Sequence, residues 1–167
     1  TLSGSGTNSA NHLAQQQFDK LAGIKTTYIP FKGTGASNAA LLGNQVSGSW
    51  GYSTVQIKLG DQVRCLGVAM EQRHPQLPNC PTFEEQGFDL VGGAYRGVAV
   101  PKSTPANIQM KLASDLAKVN ADPEFIRKME AGGFAMLNVG PKEMPQFMAD
   151  IKARYGALAK EMGIVKK

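Results

Sequence analysis

A run of glycine and hydroxyl residues, Ser3–Ser9, leads directly into a segment with helical spacing, and it constrains the fold more than any other feature of the sequence. The first turn of an α-helix has four backbone N–H groups without partners, and the aligned peptide dipoles place partial positive charge there. Small residues let the backbone approach a ligand, so such a loop binds an anion without a charged side chain. A second run of this kind, Phe31–Ser37, precedes the apolar segment Asn38–Leu42. The two loops together predict a protein that holds a small anion.

Neither run matches an established phosphate motif. No Gly-Lys-Ser/Thr triplet follows at the spacing of a phosphate loop. A dinucleotide fingerprint requires a preceding hydrophobic strand, and Leu2 is the one apolar residue before the first run, so we expect no strand there. The simpler interpretation is a flexible start capped by Thr7 or Asn8. His12, one turn into the helix, either bonds the loop backbone or supplies a titratable donor, and the first role is favoured.

Composition and charge exclude several classes of protein. Apolar residues make up 42% of the chain and charged residues 19%, which permits a buried core and argues against disorder. No apolar run approaches the length of a membrane span. The net charge of +5 is spread over single residues and short pairs, whereas a nucleic-acid surface normally has a concentrated basic stripe. We therefore expect no nucleic-acid partner and interpret the charge as a bias toward anionic ligands.

The residue types that perform catalysis or bind metals are sparse. Cys65 and Cys80 form a disulfide in an oxidising compartment; otherwise Cys65 is a small core residue in a strand, and the sequence leaves both interpretations open. His12 and His74 are far apart in sequence and lack a metal-ligand pattern with cysteine or glutamate. No nucleophile stands beside a base in a recognisable register. We therefore expect no catalytic residue, no metal and no cofactor.

Hydrophobic spacing and end signals predict strands and helices in mixed order. The predicted helices are Asn8–Ala22, Asn38–Gly43, Val55–Leu59, a short turn at Pro81–Gly87 capped by Thr82 and Glu85, Pro105–Asn120, a restart at Asp122–Glu124, and a last helix from Pro141. The predicted extended segments are Lys25–Pro30, Val46–Tyr52, Val63–Met70, Ala94–Val100 and Phe134–Val139. This order indicates an α/β protein with a mostly parallel sheet.

A set of separated segments recurs in one order across nearly the whole chain. They are Ser3–Ser9 with His12–Ala14, Ile29–Gly33, Leu41–Val46, Leu66–Ala69, Pro81–Thr82 with Glu85–Gly87, Tyr95–Pro101, Pro105, Asp122–Glu124 and Met162–Ile164. In these segments the chain resembles the extracytoplasmic solute receptors of tripartite tricarboxylate transporters, the TctC and Bug type. The resemblance implies a fold like the type II periplasmic binding proteins, with two α/β lobes, a hinge and a carboxylate ligand in the cleft.

The resemblance also implies a division of the chain and a cellular context. Members of the family are longer, so the first lobe is expected to be incomplete in this chain. By analogy, residues 1–92 belong to the second, ligand-binding lobe, and residues 93–167 contribute to the first lobe. We expect a periplasmic protein whose export signal is not in this chain. Its expected partners are a membrane permease and either the missing lobe or another copy of itself.

By this resemblance, ligand contacts fall in two loops and at two further positions. The first loop would hold one carboxylate through amides and hydroxyls, and its residues are Ser5, Gly6, Thr7, Asn8 and Ser9. The second loop, formed by Gly33, Thr34 and Gly35, would hold another carboxylate. The two further residues are Tyr52 and Arg96. Arg96 either binds a carboxylate in bidentate fashion or forms a hinge or surface salt bridge.

Two positions depart from the pattern of many relatives that bind amino acids or dicarboxylates. Those relatives carry an aspartate directly after Gln-Val and another acid some residues later, where this chain has Ser47 and, at about the second place, Gly51. No carboxylate remains there to pair with an amine. The resemblance therefore argues against an amine-bearing ligand.

The expected function is a binding protein that captures a tricarboxylate or dicarboxylate, similar to citrate, for uptake by a membrane permease. The alternative is an α/β enzyme that uses Ser3–Ser9 as an anion or oxyanion cradle, with His12 as acid or base. The two differ in whether a reactive side chain acts on the ligand.

Overall fold

A computed structural model describes residues 1–163. The chain divides into two compact units. The first comprises Thr1–Ala94 together with residues 155–163, and the second comprises Tyr95–Arg154. The assignment of residues 1–92 and 93–167 to two lobes of a receptor stays a prediction.

The first unit contains a parallel three-stranded sheet. Its strands are β1 (Leu2–Ser5), β2 (Tyr28–Phe31) and β3 (Gly48–Ser49), and their order in the sheet is β2-β1-β3. The connections contain helix α1 (Ala10–Ala22) and helix α2 (Thr34–Leu42). The expectation that no strand precedes the first loop was wrong, because residues 2–5 form the central strand.

Close packing explains why the central strand consists of small residues. Ser3 and Gly4 are buried, and a Cβ atom at Gly4 would lie 2.8 Å from the Cβ of Asn11 and in contact with the Tyr28 hydroxyl. Since Asn11 belongs to α1 and Tyr28 to β2, the missing side chain lets a helix and a strand approach β1 together. This close approach overrides the weak strand propensity of glycine and serine.

Gly4→Ala is expected to lower the free energy of unfolding by about 2 kcal/mol, because the Cβ of Asn11 is fixed to the helix backbone and cannot move aside alone. Urea unfolding followed by circular dichroism measures the loss. Gly156→Ala is the control, because a Cβ atom at position 156 would meet no atom within 4 Å. It also replaces a glycine inside helix α6 by alanine, which favours the helix. Equal stability of the two variants would contradict this account of the packing.

Helix α1 begins and ends at residues with identifiable caps. The Ser9 side chain accepts a hydrogen bond from the His12 amide, so the cap is Ser9 and not Thr7 or Asn8 as predicted. The helix ends at Gly23, which has φ 64° and is therefore in the left-handed region. The end at Gly23 was predicted.

A buried carboxylate joins the end of α1 to the start of β2. Asp19 is 8% exposed and accepts hydrogen bonds from the Thr26 amide at 2.7 Å and from the Gln15 side chain at 2.6 Å. The Thr26 hydroxyl donates to the same carboxylate at 2.9 Å. These contacts hold the turn between helix and strand.

The rest of the first unit has less regular structure. Helix α3 (Ser53–Leu59) agrees with the predicted helix there, and a single turn of 3₁₀ helix (Gly60–Gln62) follows it. The predicted strand Val63–Met70 is not formed; Val68 makes one isolated bridge with Thr82. Cys65 and Cys80 form a disulfide with Cα atoms 5.5 Å apart, which decides between the two interpretations of these residues.

The predicted short helix at Pro81–Gly87 is reduced to a 3₁₀ turn at Glu84–Gln86, whose cap residue is Phe83 and not Thr82. The predicted pairing of Thr82 with Glu85 is formed. The Thr82 amide donates to the Glu85 carboxylate at 2.7 Å, and the Glu85 amide donates to the Thr82 hydroxyl at 3.0 Å. Arg73 pairs with the same carboxylate at 2.9 Å. The hydrogen bond from Arg73 is the main cause that lowers the pKa of Glu85.

Four aromatic rings of the first unit pack against one another. Phe18 of α1 lies 5.7 Å from Trp50, 5.5 Å from Phe83 and 5.1 Å from Phe88, measured between ring centroids. Leu90 is 2% exposed. This cluster connects α1 to the irregular segment that follows α3.

The second unit consists of helices joined by irregular segments. Helix α4 is Ala106–Ala121, α5 is Pro123–Ala131, and α6 is Met144–Glu161, whose last turns belong to the first unit. Asp122 caps α5 by accepting from the Phe125 amide at 2.8 Å, in agreement with the predicted restart.

The predicted strands Ala94–Val100 and Phe134–Val139 are not formed, and the last helix begins at Met144 and not at Pro141. One apolar face of α4 is exposed along its length, with exposed fractions of 46% for Ile108, 38% for Leu112, 40% for Leu116 and 44% for Val119. Within residues 1–163, no helix has the length and apolar character needed to cross a membrane.

Candidate ligand-binding site

Three loops follow the three parallel strands and lie at the carboxyl edge of the sheet. They are Gly6–Ser9 after β1, Lys32–Gly33 after β2, and Trp50–Tyr52 after β3. The amides of Gly6 and Gly33 both donate to the carbonyl of Phe31 at 2.8 Å, so the first two loops share one acceptor. Ligands of open α/β sheets bind at this edge, because helix N-termini point toward it.

The first loop has a fixed backbone. Gly6 has φ 66° and Asn8 has φ 59°, and both values lie in the left-handed region. The carbonyl of Gly6 accepts hydrogen bonds from the Ser9 hydroxyl at 3.0 Å and from the Tyr28 hydroxyl at 3.3 Å. These contacts tie the loop to the start of α1 and to β2.

His12 contacts the first loop from α1. Its Nδ1 accepts a hydrogen bond from the Asn8 amide at 3.1 Å, and its ring stacks on Tyr28 with centroids 4.3 Å apart. Burial against these groups lowers the pKa of the imidazole. Burial also raises the pKa of Tyr28, with an opposing effect from the Ser9 hydrogen bond and a smaller rise from Tyr52. His12 therefore bonds the loop backbone, as the favoured prediction for its structural role had it.

The second loop leads into α2 without a side-chain cap. Gly33 is the cap residue, with φ 91°, and no side chain bonds the first amides of the helix. Gly33 and Gly35 are exposed, and Thr34 is half-buried. A helix start without a side-chain acceptor is suited to an anion that supplies the acceptor.

Buried polar side chains support the three loops from below. Asn11 accepts hydrogen bonds through Oδ1 from the Ser5 amide at 3.2 Å and from the Ser5 hydroxyl, and its amide donates to the Gly51 carbonyl at 3.5 Å. The hydroxyls of Ser3 and Ser37 share a hydrogen bond of 2.8 Å, and those of Ser37 and Ser49 share one of 3.1 Å. β1, α2 and β3 are thus connected directly under the loops.

The family is identified by a model match along nearly the entire chain. The model described as "Tripartite tricarboxylate transporter family receptor", TctC, matches residues 1–164. The chain belongs to the TctC family. The family is one of receptors, so the alternative of an α/β enzyme is not supported.

The chain spans about half the length of the first relatives that it matches. A UPF0065 protein from the tcbD-tcbE intergenic region of Pseudomonas sp. (strain P51) is 26% identical over 167 residues, which is 96% of this chain and 49% of that protein. The expected incomplete coverage of the family fold is therefore confirmed.

Solved structures share the fold of this TctC-family chain. A TctC solute-binding protein from Polaromonas, solved without ligand, has 25% identity and a TM-score of 0.79 over 96% of this chain and 56% of that one. An R. palustris protein solved with adipate has 23% identity and a TM-score of 0.81, and the match covers 97% of this chain and 56% of that one. MatC from Rhodopseudomonas palustris, with bound malate, has 21% identity and a TM-score of 0.74, and the match covers 95% of this chain and 55% of that one. The predicted resemblance to periplasmic binding proteins is confirmed.

Nine of the ten predicted ligand residues of this TctC-family chain lie in or beside the three loops of the first unit. They are Ser5, Gly6, Thr7, Asn8, Ser9, Gly33, Thr34, Gly35 and Tyr52. Tyr52 is the cap residue of α3. Arg96 belongs to the second unit, where its guanidinium lies 5.4 Å from the centre of the Phe134 ring. A ligand contact by any of the ten stays a prediction.

Sequence reasoning did not select Asn11 or Tyr28, which hold the loops in place. Both have a sequence signal in retrospect. Asn11 stands in the first turn after a glycine run, where a side-chain amide reaches back to the loop. Tyr28 was treated as an apolar strand residue, although a buried tyrosine hydroxyl normally has a hydrogen-bond partner.

Two further observations restrict the site of this TctC-family chain. Among the described residues, no three His, Cys, Asp or Glu side chains are grouped so that they would hold a metal ion. A cavity of about 850 Å³ lies beside the disulfide and is lined by Phe18, Arg64 and Phe83 among others, but by none of the ten predicted residues. We place the candidate site at the sheet edge because the loops that precede α1, α2 and α3 lie there.

Proposed function

We propose that this chain is the ligand-binding part of an extracytoplasmic receptor that captures a small organic acid with two or three carboxylates. The observation that carries the proposal is the pair of loops that share the Phe31 carbonyl. Each loop leads into a helix start, and α2 has no side-chain cap. Two adjacent sites for negative charge suit one molecule with two carboxylates.

The relatives support this class of ligand. One neighbour in structure was solved with adipate and another with bound malate, and both ligands are dicarboxylates. A tricarboxylate such as citrate fits the same two loops with one further acid group. Ser47 and Gly51 leave no acid beside the loops to pair with an amine, so we propose that amino acids are not ligands.

Each loop has a proposed role. The first loop holds one carboxylate through the amides of Thr7 and Ser9 and the Thr7 hydroxyl, because its other amides and hydroxyls donate to acceptors within the chain. The second loop holds the other through the amides of Thr34 and Gly35, and Gly33 fixes their position by its own bond to the Phe31 carbonyl. Tyr52 supplies a hydroxyl from the third loop.

We propose the periplasm as location, with a membrane permease as the partner that receives the ligand. The disulfide between Cys65 and Cys80 supports an oxidising compartment. We further propose that another polypeptide, either the part of the family fold that this chain does not span or a second copy, covers the exposed apolar face of α4.

Thr34→Pro is expected to weaken the binding of adipate or malate about tenfold, because it removes one amide that would donate to a carboxylate. Thr34 is the first residue of α2, where proline is tolerated, and Gly33 before it has ψ 171°, which a following proline permits. Isothermal titration calorimetry with adipate, malate and citrate measures the change.

Thr34→Ala is the matched control, since it removes the hydroxyl and keeps the amide. A smaller loss for Thr34→Ala than for Thr34→Pro assigns the difference to the backbone donor. Binding of none of the three acids by the wild-type chain would refute the proposed ligand class, and equal affinity of Thr34→Pro and wild type would refute the role of α2.

A further inference from the structure

His12 makes a contact that depends on its protonation state. Its Nδ1 accepts a hydrogen bond from the Asn8 amide at 3.1 Å. An imidazole nitrogen that accepts from an N–H group carries no proton, so the proton of the neutral ring lies on Nε2. An imidazolium has a proton on both nitrogens and cannot accept this bond.

The bond fixes the first loop at a residue in the left-handed region. Asn8 has φ 59°, which asparagine adopts more readily than most other residues apart from glycine, but less readily than helical or extended values. The same residue stands between the left-handed Gly6 and the cap Ser9, which is held by the Gly6 carbonyl at 3.0 Å. When the Asn8 amide loses its acceptor, one of the contacts that compensates this conformation is lost.

The groups packed around the imidazole favour its neutral form. Tyr28 stacks on the ring from β2, and Tyr52 interacts electrostatically with Tyr28. Helix α1 has no acidic residue in its first turn, and the positive end of its dipole lies beside His12. Burial lowers the pKa of His12, which favours the neutral imidazole at neutral pH. Burial also raises the pKa of Tyr28, so its phenol stays uncharged.

We propose that His12 is a positioning residue for the first loop, and that its neutral imidazole holds the Asn8 amide so that loop conformation and ligand affinity depend on pH. The part that concerns affinity rests on the proposed function; the part that concerns the loop does not. The bond is present while the ring is neutral, and it is lost as the pH falls through the pKa of His12. Acidification therefore loosens the loop.

Lowering the pH from 7.5 to 5 is expected to reduce the affinity for adipate in both wild type and His12→Asn. The reduction is expected to be about three- to tenfold larger in wild type, because only wild type loses the hydrogen bond to the Asn8 amide. In His12→Asn, the side-chain amide oxygen takes the place of Nδ1 and does not titrate. His12→Phe keeps an aromatic ring on Tyr28 and removes the acceptor, so it is expected to bind weakly at both pH values. Protonation of adipate itself affects all three proteins equally, so it does not contribute to the difference between wild type and His12→Asn.

Two results of the calorimetry would overturn the proposal. Affinity that rises with acid in wild type but not in His12→Asn would mean that the imidazolium binds the acid directly. The same pH profile in wild type, His12→Asn and His12→Phe would mean that His12 has no part in positioning the loop.

Nitrogen-15 NMR of the ligand-free chain tests the loop without any ligand. Nδ1 is expected to be unprotonated at pH 7.5, and the Asn8 amide shift is expected to follow the titration of His12. A protonated Nδ1 at pH 7.5, or an Asn8 shift independent of that titration, would refute the proposal. An Asn8 shift that follows His12 in a chain that binds no acid would refute the proposed function alone.

Discussion

Replacing both Cys65 and Cys80 with alanine is expected to lower the free energy of unfolding by about 3 kcal/mol. The disulfide joins residues 15 apart in sequence, and a cross-link of that span reduces the entropy of the unfolded chain by about this amount. The segment between the cysteines has no helix or strand to hold it, and Val68 makes its one strand-like bridge. Guanidinium unfolding, monitored by tryptophan fluorescence at Trp50, measures the loss.

Reductant provides the control for this prediction. Wild type in the presence of reductant is expected to unfold at the same midpoint as the double variant, and the variant is expected to be insensitive to reductant. Alanine is preferred to serine because Cys80 is 3% exposed, and a buried hydroxyl without a partner would add a separate cost. A wild-type midpoint that reductant does not change would contradict the prediction.

Asp19→Ala is expected to lower the free energy of unfolding by about 3 kcal/mol. The substitution removes the acceptor of the Thr26 amide and of the Gln15 side chain, and Gln15 is fully buried. Buried donors left without an acceptor account for most of the loss. Urea unfolding at pH 7, followed by circular dichroism, measures it.

Asp89→Ala is the matched control, because Asp89 is exposed and the same charge is removed. Its effect is expected to stay within about 0.5 kcal/mol. Asp19→Asn keeps one oxygen acceptor and is expected to fall between the two. A loss for Asp19→Ala no larger than that for Asp89→Ala would show that the buried contacts contribute nothing to stability.

Local signals predicted several helix ends, although the cap of α1 and the start of α6 were predicted wrongly. The reciprocal pairing of Thr82 and Glu85, the cap at Asp122 and the end of α1 at Gly23 each depend on a few adjacent residues. A cap is formed within one turn, so its chemistry is contained in the sequence that forms it.

Strands were predicted less well, because a strand depends on a partner that is distant in sequence. Val63–Met70 has the apolar, β-branched composition of a buried strand, yet Val68 alone is paired in it. Leu2–Ser5 has the composition of a loop, yet it pairs on both sides. Leu2–Ser5 forms a strand because Asn11 and Tyr28 pack closely against Gly4, and no residue within 2–5 indicates that packing.

The same reasoning explains which site residues were found. A glycine and hydroxyl run is a local pattern, so the loops were predicted directly. The His12 contact is also local, since His12 is four residues beyond Asn8, and it was the favoured prediction. The Tyr28 hydroxyl donates to the Gly6 carbonyl from 22 residues away, and that contact was not predicted. Such contacts follow from the order of strands in the sheet, which the sequence does not contain as a local pattern.

The interior of the first unit has a thermodynamic consequence. In the described part of the chain, the buried side chains include Ser3, Asn11, Gln15, Asp19 and Thr82, beside few large apolar ones. Hydration of apolar groups raises the heat capacity of the unfolded state, and hydration of polar groups lowers it. Unfolding should therefore change the heat capacity less than it does in an apolar interior of this size, and stability should vary only gently with temperature.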